Sequence, residues 1–253
     1  MKTELLNHLS KSDLAGLLTL SHRSLACADH QDLKRLILDL KQSFYFENAV
    51  CAHGNVLEIL QTEKQEPDIA VFDISYPDGY IDLYLENRYY RTDAVFYEFI
   101  TNLSPVNWLG VDKKCSFNYP ASVMACDFNM NNGWTHGTLD PETMNCSVFF
   151  FGGPVVDNHV RSAKILEYII PFYSEAYKRV LKKSNKPALN LTKREIEVLH
   201  WAKEGKSSWE ISMILRCSKR TVDFHINNLK NKLNAFSRAQ AVAIGLQYGI
   251  IDF

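Results

Sequence analysis

The chain has 253 residues, 46% of them hydrophobic and 23% charged, with a net charge of −1: enough for one large or two unequal globular domains. No apolar run reaches the roughly eighteen residues of a spanning helix, and MKTELLNHLSKSDLAGLL lacks the apolar stretch of a secretory signal, so membrane and export are not expected. The six cysteines show no CxxC spacing, which reads as reduced thiols in a cytoplasmic protein, and the lone C-x-H of Cys51 and His53 has no second ligand pair to suggest a metal.

Two amphipathic patterns open the chain, over 3–27 and 31–43. Leu33, Leu36, Ile37 and Leu40 fit the i, i+3, i+4, i+7 template of a helix. Strand-like runs follow in FENAVCA and IAVFDIS. The stretch YPDGYIDLYLENRYYRTDA holds five of the chain's twelve tyrosines, with Tyr76, Tyr80 and Tyr84 at every fourth position. It reads as a helix from Pro77 to Asn87, since proline suits the first helical position. Another helix is expected over 92–102, then the breaker LSPVNWLG. Residues 111–132 show no clear period. WTHGTLDPETMNCSVFFFGG reads as a hairpin turning at Asp140-Pro141-Glu142. A long amphipathic helix over 157–183 and the polar linker KKSNKPALN follow. Helices, strands, then helices predict an α+β fold: an α/β/α sandwich with an antiparallel sheet over 1–183, a linker at 184–190, and a four-helix domain over 191–253.

Charge divides the same way. Residues 187–253 carry ten Lys/Arg against six Asp/Glu, and residues 1–186 carry eighteen against twenty-three. A basic end on an acidic body suits a polyanionic partner.

The C-terminal segment is the most clearly punctuated. Thr192 with Glu195, and Ser207 with Glu210, have capping-box spacing; Gly205 stands where a helix would end; Ser218 and Ser237 can cap two further helices. Helices are expected at 192–204, 208–215, 219–233 and 238–248. The second and third have helix-turn-helix order. On the third, Val222, Ile226, Leu229 and Leu233 fall within about 60° of one another as a buried stripe. Arg220, Phe224 and Asn227 face the other way, flanked by Asp223 and Asn228. These side chains can meet a thymine methyl, an adenine edge or cytosine N4. Lys206, Ser207, Lys219, Thr221, His225, Lys230 and Arg238 stand where phosphates could be gripped. The plainer alternatives are a dimerisation or adaptor bundle and an ordinary polar helix face.

The pattern Leu191-Thr192, Arg194-Glu195, Val198-Leu199, Gly205-Lys206-Ser207, Glu210-Ile211, Thr221-Val222, His225, Lys232-Leu233, Arg238 and Ala241 resembles the LuxR-type DNA-binding domain. That resemblance implies a homodimer on double-stranded DNA with a two-fold symmetric operator. The third helix would lie in the major groove, with Asp223, Phe224 and Asn227 on bases and half-sites about one helical turn apart. For the N-terminal part, a phosphoacceptor receiver is excluded, because no acidic pair precedes Asp73.

The segment around the tyrosines instead resembles the autoinducer-binding domain of acyl-homoserine-lactone receptors. Tyr80, Tyr84, Asp93, Ala94 and Trp108 fall on its motif positions, and Gly133 and Gly137 on its glycines. The resemblance implies that the residue at 80 donates to a lactone carbonyl and Tyr84 to an acyl amide carbonyl. It also implies that Asp93 accepts the amide N–H and that Trp108 lines the lactone end. Tyr80 stands where the family has Trp, and Ala94 where it has Pro. A buried amide needs one donor and one acceptor, and an acyl tail needs apolar walls. Tyr76, Val71, Phe96, Gly137 and Ser147 are further candidates for those walls.

These readings predict a transcription factor in which a small lipophilic signal, a lactone or a related acylated molecule, controls promoter binding. The long helix would carry dimerisation. The alternatives are a regulator answering a non-lactone signal and a ligand-independent DNA-binding protein. No nucleophile–base motif suggests an enzyme.

Overall fold

The structure, a computed structural model, describes residues 8–61, 66–114, 120–184 and 191–252. It divides into two compact units, 1–181 and 182–253. Among the described residues no helix is long and apolar enough to cross a membrane.

Helices α1 (Lys11–Leu25) and α2 (His30–Asp39) open the first unit. Ser10 caps α1 in a capping box with Asp13, so the helix starts at Lys11; the first residues of the expected 3–27 span lie outside the described ones. Strand β1 (Asn48–Asn55), the short helix α3 (Val56–Gln61) and β2 (Ala70–Asp73) follow. Next come α4 (Tyr80–Glu86), α5 (Ala94–Asn102), β3 (Val106–Asn107) and α6 (Trp108–Lys114). The unit is completed by α7 (Pro120–Asp127), the hairpin of β4 (Asn132–Leu139) and β5 (Asn145–Gly153), and α8 (Val160–Ser184).

The five strands form one antiparallel sheet in the order β2-β1-β5-β4-β3. Strands β1 and β5 are apolar on both faces, as befits a sheet covered on both sides. Side chains with odd numbers, Ala49, Cys51, Phe149 and Phe151, pack with α1, α2 and α8. Those with even numbers, Val50, Ala52, Cys146, Val148 and Phe150, pack with the helices of the other layer. This is the period of two that a pleated strand imposes. Fully buried Tyr173 and Tyr177 of α8 lie against the odd face. Burying each such side chain stabilises the fold by about 1.5–3 kcal/mol. Their hydroxyls reach the carbonyls of Leu36 (2.8 Å) and Ala70 (2.9 Å), so no phenol is left unsatisfied there.

Three local expectations are corrected. Helix α4 begins at Tyr80, not at Pro77, because Gly79 before it has φ of +78°, outside the helical region. The breaker LSPVNWLG holds a strand, β3, and the first turn of α6. The unreadable stretch contains two short helices, α6 and α7.

In the second unit, α9 (Lys193–Lys203), α10 (Ser208–Ile214), α11 (Lys219–Lys232) and α12 (Arg238–Gln247) lie within a residue or two of expectation. Both capping boxes form, Gly205 has φ of +74°, and Ser218 and Ser237 cap α11 and α12. Val198, Leu199, Ile211, Val222 and Leu229 form its core.

Candidate functional site

The even-numbered face of the sheet and the helices above it line a cavity of about 130 Å³. Val71, Tyr76, Tyr80, Tyr84, Asp93, Phe96 and Trp108 all line it. Between α4 and α5 the chain turns, and the turn brings Asp93 back to Tyr84, whose hydroxyl donates to Asp93 Oδ2 at 2.7 Å. Asp93 Oδ1 accepts from the amides of Val95 (2.8 Å) and Phe96 (3.2 Å), which makes Asp93 the N-cap of α5.

Spacing of four puts the three tyrosines on one side of α4 and its entry. The Tyr80 ring is edge-on to Tyr76 (5.1 Å) and Phe128 (5.3 Å) and stacks at 6.3 Å on Tyr84. Burial, reinforced by the charge of Asp93, holds all three phenols well above their ordinary pKa, so each keeps its proton. The hydroxyls of Tyr76 and Tyr80 make no hydrogen bond among the described residues, unlike that of Tyr84.

Trp108 is fixed from below. A Cβ on Gly133 would come 2.8 Å from its indole, and one on Gly152 would come 2.5 Å from it, so the ring lies flat against bare backbone. Its Nε1–H donates to buried Thr135 at 2.8 Å. Trp108 therefore offers the cavity a ring face.

Two expected lining residues fall elsewhere. Ser147 has an odd number on β5, so its side chain points to the α8 side, where its hydroxyl is 2.8 Å from His53 Nδ1. Gly137 is on the cavity side but lies beneath Phe99, whose ring would be 2.8 Å from a Cβ there. Sequence reasoning missed Met130, Ala125 and Cys126, which line the cavity from α7 and the turn after it. It also missed Tyr90 and Ile59, which no spacing singled out.

In the second unit Val222 and Leu229 are buried, while Arg220, Phe224 and Asn227 face outward, Phe224 at 60% exposure. Lys219 is exposed beside them, and Asp223, Asn228 and Lys230 are half-buried on the shoulders. Thr221 is tied to the Ser218 cap at 2.8 Å, and Ser207 is spent capping α10. His225 is half-buried with its ring against Phe224, and its Nδ1 has no partner among the described residues. Arg238 donates to the Lys206 carbonyl, which fastens the start of α12 to the loop before α10. Burial lowers the Arg238 pKa, and nearby Asp223 opposes that shift. Exposed Trp209 (61%) and Phe236 (86%) were not anticipated. Beneath this face, Glu195, 2% exposed, accepts from Lys232 (2.8 Å) and the Thr192 amide (2.7 Å). Burial resists its ionisation, but these donors outweigh it and its pKa lies below the ordinary value.

An amphipathic cavity in one unit and a helix-turn-helix in the other define a class: sensors that bind a small molecule and act on DNA. Comparison with known proteins agrees. Residues 29–175 match the autoinducer binding domain, and 189–244 match the bacterial regulatory proteins of the luxR family. The chain belongs to this family, and it is a ligand-responsive, DNA-binding transcriptional regulator. It is 28% identical to the transcriptional activator protein LuxR of Aliivibrio fischeri, over 90% of this chain and 91% of that one. Its fold is similar to that of SdiA in complex with octanoyl-rac-glycerol (TM-score 0.59, 19% identity, 97% of this chain and 99% of that one). It is also similar to CepR2 from Burkholderia cenocepacia, an N-acylhomoserine lactone dependent factor (TM-score 0.55, 17% identity, 70% of this chain and all of that one).

Proposed function

We propose that the cavity takes an N-acyl-homoserine lactone and that its occupancy controls how two copies of the chain engage a two-fold symmetric operator. The observation that carries this reading is a set of polar groups in a mostly apolar cavity. It comprises two phenol donors, Tyr76 and Tyr80, whose hydroxyls bond no described residue, beside one carboxylate, Asp93, held in place by Tyr84 and the start of α5. An N-acyl lactone presents two carbonyl acceptors and one N–H donor, which is the complement of that set. Tyr84 donates to Asp93, so in this reading it positions the carboxylate. The amide carbonyl falls to Tyr76 and the lactone carbonyl to Tyr80, while Asp93 accepts the amide N–H. Trp108 packs on the lactone ring, and Val71 and Phe96 wall the tail. Arg220, Asp223, Phe224 and Asn227 read bases; Lys206, Lys219, Thr221, Asn228, Lys230 and Arg238 hold phosphates. Dimerisation through α8 would use its outward face, since the apolar stripe of that helix is buried in its own unit.

A second reading has a specific support. A phenol at position 80 reaches less far than an indole, and the SdiA structure holds an acylated glycerol, whose ester and hydroxyls also present acceptors and donors. Calorimetric titration with both ligand classes decides. Tyr76→Phe and Tyr80→Phe should each weaken lactone binding about tenfold, the value of one hydrogen bond. Both should leave the unliganded protein as stable as before, because neither hydroxyl bonds a described residue. Unchanged affinity in both variants would remove the phenols from the site.

A further inference from the structure

We propose that Gly54 is the tail stop of the cavity and sets the longest acyl chain the protein accepts, an inference that rests on the acylated-signal reading above. The floor of the cavity is built from three paired rows: Val50 opposite Phe150, Ala52 opposite Val148, and Gly54 opposite Cys146. Side-chain size falls along both strands in the same direction, Val to Ala to Gly and Phe to Val to Cys. The floor therefore deepens toward the third row.

The ends are chemically distinct. The first row packs with Tyr76, Trp108 and Met130, with Tyr80 against that group. The second and third rows pack with Ile59, Phe96 and Phe99, in a cluster whose phenols are Tyr84 and Tyr90. A head group held by Tyr76, Tyr80 and Asp93 thus sends its tail along the strands toward Gly54. First to third row is roughly 13 Å, four residues of strand at about 3.3 Å each.

Gly54 has ordinary backbone angles, so its lack of a side chain is not a conformational need. A Cβ there would stand 3.5 Å from Ile59 Cδ1 and 3.6 Å from Ile69 Cγ1, in ordinary contact with the end wall. It would also stand 3.1 Å from the Asp68 carbonyl, which must yield by a few tenths of an ångström. One methyl group at Gly54 would therefore take up cavity space between the strand and Ile59 and Ile69, which also line the cavity.

The test is a thermal-shift series of N-acyl-homoserine lactones from butanoyl to dodecanoyl, run on the full chain and on Gly54→Ala and Gly54→Val. Wild type should show a maximum at one chain length. Gly54→Ala should move that maximum to a shorter chain and weaken the longest accepted ligand about tenfold or more, with short chains unaffected. Gly54→Val should move it further. Should the Val variant not fold, Cys146→Leu adds bulk to the same row from the opposite strand and should shift the profile the same way. A wild-type response whose chain-length profile survives in Gly54→Ala and Cys146→Leu overturns the tail stop alone. If wild type responds to monoacylglycerols instead of lactones, the same displacement is expected in that series. Silence of wild type to both series overturns the acylated-signal reading and the tail stop with it.

Discussion

Asp93 joins two functions in one carboxylate. One oxygen caps α5 through Val95 and Phe96, and the other takes the Tyr84 hydroxyl. Asp93→Ala should therefore cost about 1 kcal/mol of stability through the lost cap and should abolish the ligand dose–response. Denaturation curves and a reporter titration read the two effects separately; an unaltered dose–response would take Asp93 out of the site. Ala94, which replaces the family's proline, is the first residue of α5, where the amide has no helical partner in any case. That departure leaves the helix start intact. The resemblance singled out Tyr84 and Asp93, and both line the cavity, but their bond to each other was not legible, because it depends on how the chain turns between them. Ser147 was misplaced for a simpler reason. A strand apolar on both faces, SVFFF, carries no alternation to say which parity faces the cavity.

At the scale of elements, local chemistry decided what could be read. The second unit has a cap residue before each helix and a glycine after the first, so its boundaries followed from sequence almost residue by residue. Helices α6 and α7 do carry start marks, Asn107 accepting from the Leu109 amide at 3.0 Å and Pro120 at the first helical position, but both are short and they were missed. The wheel of α11 correctly separated buried Val222 and Leu229 from outward Phe224 and Asn227. If Asn227 reads a base, Asn227→Ala should cost about 1–3 kcal/mol on the preferred operator and relax specificity at one position. Selection from a randomised operator library measures this, and equal weakening on all sequences would make Asn227 a backbone contact.

Strand β4 supplies a pH effect. His136 is buried on it, and burial pushes its pKa down to about 4 against the pull of Glu167 and a hydrogen bond to the Ser104 backbone. The folded state therefore resists a proton that the unfolded chain accepts near pH 6.5. Stability from this residue is complete above about pH 6.5 and is lost as pH falls toward about 4. Urea denaturation across that range should show less acid sensitivity in His136→Gln than in wild type. Identical slopes would contradict the buried neutral imidazole.

For the whole molecule, the sequence carried the two-part organisation through its charge asymmetry and its linker composition, and the structure separates into compact units at 181–182. The layered sheet was legible from element order; the cavity's full lining was not, because residues from α3, α7 and the turn before α5 meet only in three dimensions. A ligand that binds the folded state stabilises it by RT ln(1 + [L]/Kd), about 2.7 kcal/mol at a hundredfold excess. That is a large fraction of the stability of an ordinary domain. Occupancy of the cavity can therefore govern how much folded regulator is present as well as how it meets DNA. The central claim, that this occupancy changes DNA binding, is tested most directly by capturing genomic DNA fragments on the purified full chain with and without a lactone shown to raise its melting temperature. The account predicts that the ligand changes the retention of fragments carrying two-fold symmetric sites, and that Asp93→Ala removes the change. Equal retention with and without a ligand that demonstrably binds would contradict it.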